Sequence, residues 1–146
     1  MRKLMIDINL SCKSNKHSNN TFNSFFKMID IKTFRKIALS FPEATEQAHF
    51  EKASFRIGKK IFATFDIKNN LACIKLSKID QDLFSLFDKS VIYPVPNLWG
   101  KNGWTYINLT KVRKDMFIEA LTTAYCEVAP KKLSSLVKLK GDEEAI

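Results

Sequence analysis

The sequence predicts an α+β fold, on three observations. Apolar residues recur at helical spacing near residues 30–41 and again over a longer stretch after residue 110. Between these stretches lie short segments in which polar and apolar residues alternate. The alternating segments are punctuated by Gly-Lys and Lys-Asn-Asn, pairs and triplets that suit tight turns.

The elements follow in chain order. Phe34, Ile37, Ala38 and Phe41 fall at i, i+3, i+4 and i+7, one face of a helix that Asp30 can cap and Pro42 ends. Residues 43–52 are polar and read as a connector. Residues 54–57 and 60–67 alternate as half-buried strands, with Ile61, Ala63, Phe65 and Ile67 on one face and Phe62, Thr64 and Asp66 on the other. Gly58-Lys59 suits a two-residue type II′ turn between them. Lys68-Asn69-Asn70 then turns the chain, because Asn tolerates left-handed backbone, and residues 71–76 return to complete a three-stranded meander.

Ser77 can cap a second helix with Ile79, Leu83, Leu86 and Phe87 on its stripe. Val91-Ile92-Tyr93 is a short strand stopped by Pro94 and Pro96, since proline donates no ladder hydrogen bond. Residues 97–103 read as a loop and 104–109 as the last strand. Thr110 is placed to cap the longest helix, residues 111–129, whose stripe is Phe117, Leu121, Ala124 and Val128. After Pro130, Leu133, Leu136 and Val137 allow one more short helix. The order is α-β-β-β-α-β-β-α, with no internal repeat, and Phe55, Phe65, Ile74, Leu83, Phe117 and Leu121 are its expected core.

With 146 residues the chain has room for one core. Residues 1–27 read as a poorly ordered basic leader, 28–140 as a single domain and 141–146 as a polar tail. The net charge of +9 and a pI near 9.5 point to polyanions as partners. Arg2, Lys3, Lys13, Lys16 and Lys27 against Asp7 place +4 of that charge in the leader, so the domain itself is moderately basic. Cys12, Cys73 and Cys126 fit neither a C-x-x-C metal pair nor a disulfide framework and suit a reducing cytoplasm. No apolar run reaches the length that spans a bilayer.

Three segments are distinctive as words: FPEATEQAHFEKASFRIGKKIFATF from Phe41, IYPVPNLWGKNGWTYINL from Ile92, and TTAYCEVAPKKL from Thr122. Together they resemble the MmcQ/YjbR family over residues 28–133. The resemblance implies a two-layer fold akin to secretion-chaperone-like domains, with helices packed on one face of an antiparallel sheet. It also implies a double-wing DNA-binding motif. Lys60, Lys75, Lys101, Trp104, Tyr125 and Lys132 stand at the family's recurrent basic and aromatic positions.

The expected partner is therefore DNA, contacted at its phosphates by Arg56, Lys60, Lys75, Lys101 and Lys132, with Trp104 in the same surface. Each feature has a plainer reading. Lysines at strand ends also discourage edge pairing, and Trp99 and Trp104 can stack on bases or pack beneath their loop. A rival function is a protein-interaction or chaperone-like module that holds a peptide on an exposed sheet or helix face. A small-molecule enzyme ranks third. His49 and Glu51 lack a nucleophile or further ligands, and the four glycines are too dispersed for a phosphate loop. No cofactor, metal or catalytic residue is expected.

Overall fold

A computed structural model describes residues 29–137 of the chain. The expected leader and the polar tail lie outside the described residues. Helix α1 (Ile31–Leu39) starts where Asp30 Oδ1 accepts the Thr33 amide at 2.8 Å, occupying a donor that the first turn leaves unpaired. Phe34 and Ala38 point inward from it.

Strand β1 (Ala44–His49) occupies the segment expected to be a connector. Its polar residues conceal a period of two. In register with β2 (Lys52–Ile57), Ala44, Glu46 and Ala48 stand opposite Ile57, Phe55 and Ala53, and so share their face, while Thr45, Gln47 and His49 take the other. Glu46 is tolerated on the core side because Arg35 of α1 grips it through Nε–Oε1 at 2.6 Å and Nη2–Oε2 at 2.9 Å. An inward-turned charge also blunts an edge strand.

Strand β3 (Lys60–Asp66) follows Gly58-Lys59, with Gly58 at φ +61° as the first position of a type II′ turn requires. The expected alternation breaks inside β3. Phe55 pairs with Ala63 but Arg56 with Ile61, which leaves Phe62 as the extra residue of a β-bulge. Phe62 and Ala63 therefore both enter the core, and Ile61 turns to the opposite face beside Arg56. Ile67 lies past the strand end and is exposed.

Strand β4 (Leu71–Lys75) returns antiparallel after Asn70, which holds φ +54°. Helix α2 (Lys78–Ser85) is capped by Ser77 Oγ, which accepts the Asp80 amide at 3.1 Å. Strand β5 (Ile92–Pro94) forms an edge, and Pro94 suits that place. The expected loop at 97–103 contains a short helix, α3 (Leu98–Lys101), started by Asn97 Oδ1 accepting the Trp99 amide at 2.9 Å. Strand β6 (Trp104–Asn108) then enters between β4 and β5, giving a six-stranded antiparallel sheet of order β1-β2-β3-β4-β6-β5. Thr110 does not cap the last long helix, α4 (Lys114–Val128); its amide and hydroxyl both turn back onto Asn108 Oδ1, at 3.0 and 2.6 Å. Residues 131–137 form a further helical segment after Pro130.

Ala53, Phe55, Ala63, Phe65, Ala72, Ile74, Ile107 and Ile92 line one side of the sheet, and the helices lie on that side. Phe34 sits at the centre, with ring centroids 5.1, 5.0 and 5.2 Å from Phe55, Phe65 and Phe117. Tyr125, fully buried, stacks on Phe41 at 4.7 Å and donates its hydroxyl to the Pro42 carbonyl at 2.7 Å. The α+β class with helices on one face stands, with one strand more than the expected order. Leu83 is a correction: it is half-buried, and Ile79, Leu86 and Phe87 of the same stripe are exposed. Helix α2 turns Gln81 and Phe84 inward instead. Gln81 Nε2 lies 3.0 Å from Gly100 O, 3.2 Å from Trp104 O and 3.0 Å from Thr105 Oγ1, so polar anchoring, not the apolar stripe, sets the rotation of α2.

Candidate nucleic-acid interface

The other side of the sheet is the face that strand alternation turns away from the helices. One row of residues crosses all six strands there: Gln47, Ser54, Thr64, Cys73, Tyr106 and Tyr93, each in register with the next. The neighbouring rows add Thr45, Arg56 and Ile61, then Lys75 beside Trp104, at the end of the sheet where the Gly58-Lys59 turn lies. At the opposite end stand His49, Lys52, Asp66, Leu71 and Asn108. Cations outnumber carboxylates on this face: Lys52, Arg56 and Lys75 face Asp66, the single strand carboxylate there among the described residues. Asn69 donates to Asp66 from both its side-chain and backbone nitrogens, at 2.9 and 3.2 Å, and holds its carboxyl below the ordinary range, with Lys52 adding to the effect.

The structure brings most of the expected site residues to one end. Arg56 Nε donates to Ser54 Oγ at 3.1 Å, and Ser54 Oγ donates to Gln47 O at 2.9 Å; this fixes the guanidinium stem and leaves its Nη pair for an outside acceptor. Lys59 and Lys60 are exposed at the β2–β3 turn; Lys60 pairs with Ile57 and so starts β3 on the helix side, at the rim of the open face. Lys75 is half-buried, with Nζ 3.3 Å from Leu76 O. Lys101 is exposed on α3, one turn before Trp104. Trp104 is half-buried, with its ring 6.4 Å from that of the exposed Trp99. Lys132 is separate from this group: it is exposed on the segment whose Leu133 reaches the core, within the helical layer. Tyr125 belongs wholly to the core.

The loop that carries Lys101 is set by close approach. A Cβ on Gly100 would stand 1.8 Å from Val95 O, and one on Gly103, at φ +100°, would stand 1.9 Å from Leu76 O. The backbone at Gly100 and Gly103 is therefore held tightly against the strand ends, while Leu98, Trp99 and Lys101 stay exposed.

Tyr93 and Tyr106, strand positions in the sequence, also belong to this surface. Both tyrosines are half-buried on the open face, ring centroids 5.7 Å apart at 60°. The signal was present in the numbering, because Trp104, Tyr106 and Asn108 share a face by the period of two. Burial raises the Tyr106 phenol above its usual range, with nearby Cys73 adding to it, and burial pushes the Cys73 thiol up to about 11. His49 packs against the ring of Phe50 at 4.8 Å. Among the described residues no group of His, Cys, Asp and Glu is placed to hold a metal ion, and no helix is long and apolar enough to cross a membrane.

Fold and face together define the class: a single antiparallel sheet with helices on one side, and a basic, aromatic-bearing surface on the other. Residues 39–127, more than half of the chain, match the family model described as YjbR, and the chain belongs to that family. A solved structure of the Deinococcus radiodurans protein DR2400, assigned the domain DUF419, is similar: 19% identity, 79% of this chain and 89% of that one covered, TM-score 0.62. That likeness shows a shared fold. A search among curated proteins gives no match.

Proposed function

We propose that the protein binds DNA through the open face of its sheet, at the end that holds Arg56 and Lys75, with Lys59, Lys60 and Lys101 at its rim. The observation that supports this most is that Arg56 and Lys75 share the open face toward the β2–β3 turn, with exposed Lys59, Lys60 and Lys101 on the bordering turns and Asp66 at the far end. Strands are spaced about 4.8 Å apart, so Arg56 on β2 and Lys75 on β4 are roughly 10 Å apart across the ladder. Phosphates along a strand meet such an array without any base being read. No reaction is assigned to the face.

The test is the salt dependence of binding. Lys60, Lys75 and Lys101 changed together to Gln should flatten the slope of log K against log salt by about 2–3 units, because each lost phosphate contact removes about 0.9. Lys32→Gln with Lys36→Gln, on the outer side of α1, should leave the slope unchanged. Absence of binding to any DNA at about 50 mM salt would refute the proposal.

A second reading has its own observation. Ile79, Leu86 and Phe87 of α2 and the turn after it are exposed, and Phe87 borders a hollow of about 240 Å³ lined also by Val91, Ile92, Val112 and Met116. An exposed apolar surface of this kind suits a peptide-holding module. Capture of apolar peptides that Phe87→Ser abolishes, with DNA binding absent, would favour it.

A further inference from the structure

We infer that the nucleic acid taken by this face is single-stranded, with bases stacked on Trp104, Tyr106 and Tyr93 while Arg56 and Lys75 hold the backbone. The inference rests on the DNA-binding proposal and specifies its ligand. Its basis is the division of one surface into two kinds of group. The β6 and β5 part carries Trp104, Tyr106 and Tyr93; the β2 and β4 part carries Arg56 and Lys75. Lys75 and Trp104 are direct cross-strand partners, so a cation and an indole adjoin on one face.

These rings are not core residues. None of Tyr93, Trp99, Trp104 or Tyr106 joins the hydrophobic core cluster, in contrast to Tyr125 and the phenylalanines. Their mutual contacts are edge-to-face: Tyr93 with Tyr106 at 60°, Trp99 with Trp104 at 70°. An edge-to-face pair leaves ring surface that its own neighbour does not cover, and an outside base can lie on it.

A duplex cannot use such rings. Its base faces are stacked on one another, and its base edges lie at the floor of grooves several ångströms deep, reached only by elements that project. Trp104, Tyr106 and Tyr93 are half-buried on the sheet and do not project, and Gly100 and Gly103 hold the backbone of the adjoining loop against Val95 and Leu76. A single strand presents its base faces freely, and pairing aromatic platforms with adjoining cations is how sequence-tolerant single-strand binders work.

The experiment compares a fluorescein-labelled oligo(dT) of fifteen nucleotides with a fifteen-base-pair duplex, using the full chain at one salt concentration. Trp99 and Trp104 are the chain's two tryptophans, so their emission reports stacking directly. The expected result is at least tenfold tighter binding of oligo(dT), with tryptophan emission quenched. Tyr106→Leu and Trp104→Leu should each weaken oligo(dT) binding by roughly 5- to 150-fold, the range that loss of one stacked base produces, and leave duplex binding unaltered. Equal or tighter duplex binding, unquenched emission and unchanged affinity in both Leu variants would overturn the inference. If Lys75→Gln still flattened the salt slope in that case, the DNA-binding proposal would survive it. Absence of binding to both ligands would overturn the two together.

Discussion

Ala63 and Thr64 are consecutive in β3, yet one is sealed under the helices and the other lies on the open face. The whole sheet repeats that contrast. Its covered side is apolar, built on Phe34, Phe55, Phe65 and Phe117, with the strand carboxylate Glu46 tied to Arg35. Its open side mixes hydroxyls, cations and aromatic rings that do not join the core. A sheet needs only one buried face for stability, so the second face is free to carry chemistry at little energetic cost. Stability and binding should therefore respond to different substitutions.

The largest effect should come from the covered face. Phe34→Ala removes a fully buried ring that touches three others and should cost about 3–5 kcal/mol in chemical denaturation; a loss under 1 kcal/mol would show that the ring cluster does not anchor the two layers. Next comes a group on the open face that is nonetheless sheltered. The Cys73 thiol has its pKa raised by burial to about 11 in the folded chain, so stability present below about pH 9 is lost as pH rises toward 11, by at most about 2–3 kcal/mol. A Cys73→Val variant should lose much of that alkaline decline; an identical profile would mean that the thiol is well solvated.

Gln81→Leu deprives Gly100 O, Trp104 O and Thr105 Oγ1 of a shared donor and should cost about 1–3 kcal/mol, with the tryptophan emission altered because α3 is no longer tethered. The smallest effect on stability belongs to Arg56→Gln and Lys75→Gln, each expected within about 0.5 kcal/mol of the parent while DNA binding weakens. If either variant melted several degrees lower, the division between the two faces would not hold at that position.

Much of the architecture was readable from the sequence where local chemistry and hydrophobic period agree. Asp30, Ser77, Gly58 and Asn70 each act as their side chains or backbone freedom dictate. The failures share a cause: the deciding interaction lies far away in sequence. β1 reads as a polar connector because Glu46 needs Arg35 to be acceptable on the inner side. Alternation in β3 fails at Phe62 because a bulge is a property of a strand pair. The α2 stripe misleads because Gln81 is fixed by acceptors 19 to 24 residues downstream. Of the candidate face, Arg56, Lys75 and Trp104 were legible as two cations and an indole on strands. Tyr93 and Tyr106 read as strand residues of undecided side, because both faces of a strand can be aromatic and only the helix placement decides which is covered. Lys132 was grouped with the sheet by family position, whereas the chain carries it into the helical layer.

The insertion of β6 between β4 and β5 also orders events in time. Strands β1 to β4 pair with their immediate neighbours in sequence, so that meander closes short loops, and short loops close fast. Strand β6 must find β4 across a separation that includes α2, β5 and α3, and it completes the ladder on both sides at once. Arg56 and the β2–β3 turn thus belong to the part of the chain that can form early, and Trp104 and Tyr106 to the part that forms late. In pulse-labelled hydrogen exchange during refolding, the amides of β2 and β3 should become protected before those of β6.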